Sequence, residues 1–180
     1  VRTTFEINDG LIGYAALMVY SHTQQISYLD YARSIADWML NTAQRTTDGT
    51  LVHLQGSDTV WCDTLLGVTP LLTEMTRVTG DSRYLNEAVQ QVILHAKHLQ
   101  DPTTGLYHHG WQESQNAYFG PVYWARGNGW VAFGNALVSA ATAGTPAQTA
   151  LNEITTKHIN ALSLNMDASG RWHTVLNNPN

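Results

Sequence analysis

A repeat displaced by 56 residues is the feature that most constrains how this chain can fold. The first copy contains Tyr28, Leu29, Ala32, Gln44, Thr47, Gly49 and His53, and the second contains Tyr84, Leu85, Ala88, Gln100, Thr103, Gly105 and His109. A repeat of this length is typical of stacked helical hairpins. Equivalent positions of stacked hairpins emerge at the same end of the assembly, so polar residues at those positions can converge on one pocket.

Apolar residues that recur at steps of three and four predict six helices. They run from about Asp9 to His22, Ser27 to Ala43, Asp63 to just before Gly80, Asp81 to Leu99, Arg126 to Ala143, and from after Pro146 to about Leu164. Asp81 is a predicted N-cap, and Pro70 is expected to kink the third helix. The long loops 44–62, 100–125 and 166–180 separate these hairpins, and loops of this length usually carry function.

The first, third and fifth helices are apolar on several sides, whereas the second, fourth and sixth are more amphipathic. This difference predicts an all-α fold with two concentric layers of helices. A closed toroid of this type needs about twice as many helices, so we expect residues 1–180 to form a single domain that is about half of such a ring, part of a longer protein.

The composition excludes several classes of function. A net charge of −5 with no stripe of lysine or arginine argues against nucleic-acid binding. No run approaches the ~20 apolar residues needed to cross a bilayer. Cys62 is the single cysteine and cannot form an internal disulfide, and the sequence leaves the compartment open. The six Trp, eight Tyr and eight His suit a sugar ligand, although aromatic core packing explains them as well.

Candidate functional residues fall at the starts of the inner helices and at the ends of the loops before them. Asp9, Asp63 and Arg126 begin helices one, three and five, while His53 and His109 close the two repeated loops. Further candidates are Trp111, Trp124, Trp130, Asn128 and the C-terminal His173. We expect these groups to share one mouth of the helical assembly.

Simpler interpretations exist for each residue alone. An aspartate at a helix start is commonly an N-cap that stabilises the helix by ~1 kcal/mol. The histidines could be satisfied loop residues, and Trp111, Trp124 and Trp130 could belong to the core. The register that all of these residues share favours a site, since packing alone does not require it.

Two carboxylates that face an aromatic cleft are typical of glycoside hydrolysis. Asp63 has the more apolar sequence neighbours, and a carboxylic acid in such surroundings can stay protonated near neutral pH, so we assign it the proton transfer. The planar fork of Arg126 suits a substrate carboxylate and therefore an acidic sugar. The sequence contains no phosphate-binding loop, nucleophile elbow or metalloprotease motif, and we expect no cofactor. His108 and His109 are adjacent and rarely aim at one ion, so we expect no metal.

At these residues the chain resembles glycoside hydrolase family 105, the unsaturated rhamnogalacturonyl hydrolases, with relatives in family 88. The resemblance is carried by residues 61–65, 96–101, 105–111, 124–130 and 170–176. The string from Trp124 to Trp130 is long and unusual, which makes the match specific. The resemblance implies an (α/α)6 barrel, of which this chain covers about half.

The resemblance also implies a substrate and a reaction. The substrate is an oligosaccharide with a 4,5-unsaturated uronic acid at its non-reducing end, as left by a pectin lyase. Protonation of C4 gives an oxocarbenium-like centre at C5, water adds there, and the hemiketal opens and releases the next sugar. Asp63 matches the family's general acid and Asp9 its second carboxylate. His53 and His109 match its pocket histidines, and Arg126, Trp124 and Trp130 match its contacts to the uronate.

Two other functions remain open from the sequence. The chain could be a sugar-binding module that keeps the pocket without turnover, or a helical-repeat scaffold that binds other proteins. A scaffold explains the repeat but leaves the clustered Asp, His, Arg and Trp unexplained. Half a barrel also exposes helix flanks that neighbours normally cover, so we expect self-association through its edges.

Overall fold

The computed structural model of the chain describes residues 4–178 and contains three helical hairpins. The helices are α1 (Asp9–Thr23), α2 (Ile26–Asn41), α3 (Thr64–Thr79), α4 (Ser82–Leu99), α5 (Ala125–Ala141) and α6 (Gln148–Leu164). Each agrees with its predicted position to within a few residues at either end. The predicted all-α architecture, about half of an (α/α)6 toroid, is confirmed.

The hairpins form two layers because their helices have different apolar faces. α3 packs between α1 and α5, and each of α2, α4 and α6 packs on the helix that precedes it. α4 shows the reason most clearly, since its buried apolar residues recur at steps of four and three residues. They are Tyr84, Ala88, Val92, Ala96 and Leu99. This single apolar stripe faces the core, as expected of an outer helix with one side in solvent.

Glycines allow the inner helices to approach closely, at the first turns of α1 and α3 and further along α3 and α5. A methyl group on Gly67 of α3 would lie 2.5 Å from the Ile7 carbonyl oxygen, immediately before α1, and one on Gly10 would overlap the carbonyl oxygen of Gly67. On the other side of α3, a methyl group on Gly134 of α5 would lie 2.5 Å from Thr69 Oγ1. Real Cβ atoms essentially never come this close, so these contacts require glycine. The starts of α1 and α3 are therefore held side by side.

A small antiparallel sheet, which the sequence analysis did not predict, joins two of the long loops. Its strands β1 (Thr59–Trp61), β2 (Gly110–Gln112) and β3 (Ala117–Tyr118) lie in that order. Trp61 pairs with Gly110, and Trp111 lies between Val60 and Tyr118. The sheet ties the loop before α3 to the loop after α4, directly above the start of α3.

The helix-end signals read from the sequence are largely present. The Asp81 side chain accepts a hydrogen bond from the backbone N–H of Arg83 at 3.0 Å, which confirms this N-cap. Gly80 ends α3 in the left-handed conformation with φ of 75°. Pro70 lies inside α3, which continues to Thr79.

Among the described residues, no helix combines the length and apolar character needed to span a membrane.

Both flanks of the half ring expose apolar side chains. On α1 these include Leu11, Ile12 and Val19, and on the α5–α6 side they include Phe133 and Ile159. A neighbouring hairpin at either flank would cover them. Self-association through these edges remains a prediction.

Two histidines, His95 and His158, are buried in neutral form. His95 Nδ1 donates to the Gln91 carbonyl oxygen at 2.8 Å, and His158 Nε2 donates to Asn128 Oδ1 at 3.1 Å. The other ring nitrogen of each has no hydrogen-bond partner among the described residues. Burial lowers the pKa of both residues from 6.5 to about 4.

We therefore expect the fold to lose stability between pH 7 and pH 5. Above pH 6.5, His95 and His158 are neutral in both the folded and the unfolded chain. Between pH 6.5 and about pH 4, the unfolded chain binds protons at these residues and the folded chain does not. Each residue should cost on the order of 2 kcal/mol at pH 5. Urea unfolding at several pH values measures this loss, and His158→Gln should reduce the loss at pH 5 by about 2 kcal/mol. A free energy of unfolding that does not fall on acidification would contradict this account.

Candidate active site

Asp63 stands immediately before α3, but its carboxylate does not act as a helix cap. The side chain makes no capping hydrogen bond. Its Oδ2 instead lies 3.3 Å from Cys62 Sγ and 3.4 Å from His109 Nδ1. Burial, and then the Asp63 carboxylate, raise the pKa of the Cys62 thiol well above its usual range, so the thiol is protonated and donates to Asp63. The capping interpretation of this residue is therefore wrong.

The sheet positions His109 against Asp63. The Cys62 N–H donates to the His109 carbonyl oxygen at 3.0 Å, and the neighbouring residues Trp61 and Gly110 are paired across β1 and β2. From the other side, α5 closes on the same group. A methyl group on Gly127 would lie 2.5 Å from Cys62 Sγ and 3.6 Å from Asp63 Oδ2. The acid is thus enclosed by residues from three separate segments of the chain.

His53 joins this cluster through Trp61. The two rings stack with centroids 4.7 Å apart and an interplanar angle of 13°. His53 Nδ1 lies 3.2 Å from the hydroxyl of Thr64, the first residue of α3. Burial lowers the pKa of His53, the Asp63 carboxylate raises it and His109 lowers it. These electrostatic contributions indicate that the imidazoles at both repeat positions lie near the same carboxylate.

Aromatic rings form a wall beside the acid. Trp61 lies 5.2 Å from His109 and 5.8 Å from Phe119 between ring centroids, the latter in an edge-on arrangement. Phe119 is also 6.3 Å from His109 and is about half exposed. The exposed aromatic faces can bind the apolar face of a sugar ring. The carboxyl group, which the imidazoles border, can transfer a proton to that ring.

Comparison with known proteins identifies the family of the chain. The sequence profile of Glycosyl Hydrolase Family 88 matches residues 1–180. The chain belongs to that family. It is 30% identical over 180 residues to the unsaturated rhamnogalacturonyl hydrolase YesR of Bacillus subtilis, covering 96% of this chain and 52% of that protein. It is 27% identical over 146 residues to an unsaturated 3S-rhamnoglycuronyl hydrolase of an Alteromonas species, covering 78% of this chain and 35% of the relative.

A solved structure described as a possible member of family GH105, from Salmonella enterica, superposes with a TM-score of 0.90 and 28% identity. The match covers 99% of this chain and 49% of the Salmonella chain. The chain thus spans about half the length of the Bacillus relative and of this solved structure. The relationship to families 88 and 105 that the sequence motifs indicated is confirmed.

Asp9 lies at the same end of the stack as Asp63. It opens α1, is 7% exposed, and its Oδ2 accepts from the Glu6 N–H at 2.8 Å. Its neighbour Gly10 packs on Gly67, one turn further into α3 than Asp63. The two candidate acids, Asp9 and Asp63, therefore lie at the starts of adjacent inner helices.

Arg126 and Trp130 line a cleft between α3 and α5, together with Leu66 and Phe133. Arg126 is exposed, and no hydrogen bond or ion pair of its guanidinium occurs among residues 4–178. Its neighbour in the sequence, Gly127, contacts the Cys62 and Asp63 pair, so the backbone of Arg126 lies at the same end of α5 as that contact. A free cation at this place can meet an anionic ligand group.

Three other residues that were predicted for the site lie elsewhere, namely Trp111, Trp124 and His173. Trp111 is on the face of the sheet opposite to Trp61, where it stacks on His98 of α4 with centroids 4.2 Å apart. Trp124 precedes α5 and bridges to Val175 in the C-terminal segment.

His173 lines a separate depression with Asp167 and Arg171. The structure does not bring Trp111 or His173 to Asp63, because alternation along β2 directs Trp111 to the opposite face, where it packs against the hydrophobic core, and the C-terminal segment holds His173.

Sequence reasoning missed five contributors. Trp61, Cys62, Thr64 and Gly127 each lie within two residues of a position that was singled out, and only the tertiary contacts reveal their parts. Phe119 lies in an irregular loop without periodicity, and no sequence signal marks it.

The sulfur, oxygen and nitrogen of Cys62, Asp63 and His109 all lie within 4.8 Å of one another, so these residues could together hold a metal ion.

The contact at Gly127 can be tested by stability. Gly127→Ala should destabilise the fold by about 1–3 kcal/mol, because the added methyl group overlaps Cys62 Sγ. Gly129→Ala, in the same helix turn, meets no atom within 4 Å and should stabilise α5 by up to ~1 kcal/mol. Denaturant unfolding compares the two variants. Equal stabilities would show that α5 does not close on the acid.

Proposed function

We propose that this chain carries the proton-donating half of the active site of an unsaturated uronyl hydrolase. The observation that supports it best is the environment of Asp63, whose Oδ2 lies 3.4 Å from His109 Nδ1 beneath Trp61 and Phe119. The family relatives named as hydrolases of unsaturated rhamnogalacturonyl and rhamnoglycuronyl compounds give the substrate class. The substrate is an oligosaccharide whose non-reducing end is a uronic acid with a C4=C5 double bond.

In this proposal Asp63 gives its proton to C4 of the vinyl ether. The positive charge that develops at C5 is shared with the ring oxygen, and a water molecule adds to C5. The water's second proton returns to a carboxylate, Asp63 itself or Asp9. The resulting hemiketal opens, and the neighbouring sugar is released without a glycosyl-enzyme bond. The imidazole of His109 holds the carboxyl group in place during both proton transfers.

The surrounding side chains bind and orient the uronate. Trp61 and Phe119 offer apolar faces for the sugar ring. Arg126 pairs with the substrate carboxylate through its planar fork, and Trp130 borders the same cleft. His53, held by Trp61 and Thr64, donates to a substrate hydroxyl.

Asp63→Asn tests the proton donor. The variant keeps the size of the side chain but has no proton to give, so the rate constant kcat should fall by ~10² to 10⁴-fold. Turnover is followed as loss of the ultraviolet absorbance of the double bond in pectin-lyase disaccharides. Asp30→Asn, an exposed acid on α2 paired only with Arg33, should keep the full rate.

Near-normal turnover by Asp63→Asn would remove Asp63 from the role of acid. Tight binding of the disaccharide by the wild-type chain with no turnover would instead favour a sugar-binding module. A panel of disaccharides with different second sugars, run with the same assay, identifies the preferred neighbour of the uronate.

Thr64→Val tests the positioning of His53. Valine keeps the shape of threonine, but it removes the hydroxyl 3.2 Å from His53 Nδ1. Loss of a hydrogen bond worth about 1 kcal/mol should reduce kcat/KM by roughly fivefold. Thr69→Val is the matched control, since that buried hydroxyl bonds only to the Leu65 carbonyl oxygen within α3. The idea fails if both variants lower kcat/KM equally.

A further inference from the structure

Three different ligand atoms surround one point beside the proposed acid. Cys62 Sγ lies 3.3 Å from Asp63 Oδ2 and 3.8 Å from His109 Nδ1, and the third side of the triangle, Asp63 Oδ2 to His109 Nδ1, is 3.4 Å. These residues come from positions 62, 63 and 109, so linear spacing gave no sign of such a group.

The triangle has the dimensions of a zinc site. Zinc binds sulfur at about 2.3 Å and nitrogen or oxygen at about 2.0–2.1 Å, usually in a tetrahedron. Those bond lengths place the ligand atoms about 3.3–3.6 Å from one another. Each side of the observed triangle is within a few tenths of an ångström of that range. An ion that bonds to all three atoms therefore requires only small side-chain movements.

The backbone holds the ligand residues in this arrangement. The Cys62 N–H bonds to the His109 carbonyl oxygen at 3.0 Å, which couples the two ligand residues across the sheet. Gly127 packs against the sulfur on one side. The side chains of Asp63 and His109 are 18% and 22% exposed, so the group has an open side toward the aromatic wall. A fourth ligand, water or another small donor, can bind from there.

We propose that Cys62, Asp63 and His109 form a binding site for a soft divalent cation such as Zn²⁺, and that the bound ion inhibits the enzyme by occupying the proton donor. On binding, the cation takes the place of the thiol proton and of the acidic proton of Asp63, both of which pass to solvent; the neutral His109 ring carries its proton on Nε2, and coordinated water leaves. Bonds form from the metal to Sγ, Oδ2 and Nδ1. The metal plays no part in turnover. The inhibition rests on the proposed function, whereas the binding does not.

The binding can be measured without any assay of activity. Cobalt(II) takes zinc sites, and a cobalt–thiolate bond gives a charge-transfer band in the near ultraviolet. Because Cys62 is the single cysteine of the chain, such a band reports on this site alone. Titration of the 180-residue chain with Co²⁺ should give the band with saturation at one equivalent, and Zn²⁺ should abolish it. The absence of the band at millimolar Co²⁺ would overturn the proposal.

Variants separate the three ligands. Cys62→Ser should lose the band, and His109→Gln, a change at a partly exposed ring, should weaken Co²⁺ binding by at least about tenfold. His98→Gln is the matched control, because His98 also lies against a carboxylate, 2.8 Å from Asp48 Oδ2, and should leave the affinity unchanged. Unchanged affinity in His109→Gln would overturn the three-ligand site even if Cys62→Ser failed to fold.

The inhibition is then tested by turnover of the unsaturated disaccharide. Micromolar Zn²⁺ should stop turnover by the wild-type chain, and a chelator should restore it. If the metal binds but the metal-free chain shows no turnover, the result counts against the proposed function, whereas the proposed metal site stands. Full turnover with the site occupied by Zn²⁺ would overturn the inhibitory role.

Discussion

The close approach of the inner helix starts is the constraint on which the rest of the structure depends. Gly10 and Gly67 let the first turns of α1 and α3 touch backbone to backbone, and Gly127 and Gly134 bring α5 against α3. A side chain at any of these positions would force the helices apart. Asp9, Asp63 and Arg126 stand at the starts of these helices, so the close packing of the helices fixes the end of the stack at which all three lie.

The short sheet adds what helix packing alone cannot supply. Each repeat places a histidine at the end of a long loop, and loops of this kind have no fixed position by themselves. Pairing of β1 with β2 fixes both, since it stacks Trp61 on His53 and holds His109 next to Asp63. The site is thus a product of two structural levels. Helix packing fixes the position of Asp63, and strand pairing fixes the positions of the two imidazoles around it.

The sequence allowed much of this to be predicted, and the failures have physical reasons. Helix positions followed from apolar periodicity, and the repeat correctly brought His53 and His109 to one carboxylate. Trp111 was misplaced because a tryptophan in a two-sided strand can face either way, and only the register decides. Asp63 was weighed as a cap, yet its carboxylate turns toward Cys62 and His109. The sheet and Phe119 were missed because short irregular segments carry no period.

The central claim is that Asp63 delivers a proton to carbon and not to a glycosidic oxygen. Turnover of the unsaturated disaccharide in D₂O, with mass spectrometry and NMR of the product at early times, tests it most directly. Protonation at C4 predicts one deuterium, on one face of that carbon, in the 4-deoxy-5-keto product. A released sugar whose uronate keeps its double bond, with no deuterium at C4, would contradict the account and indicate ordinary displacement at the anomeric carbon.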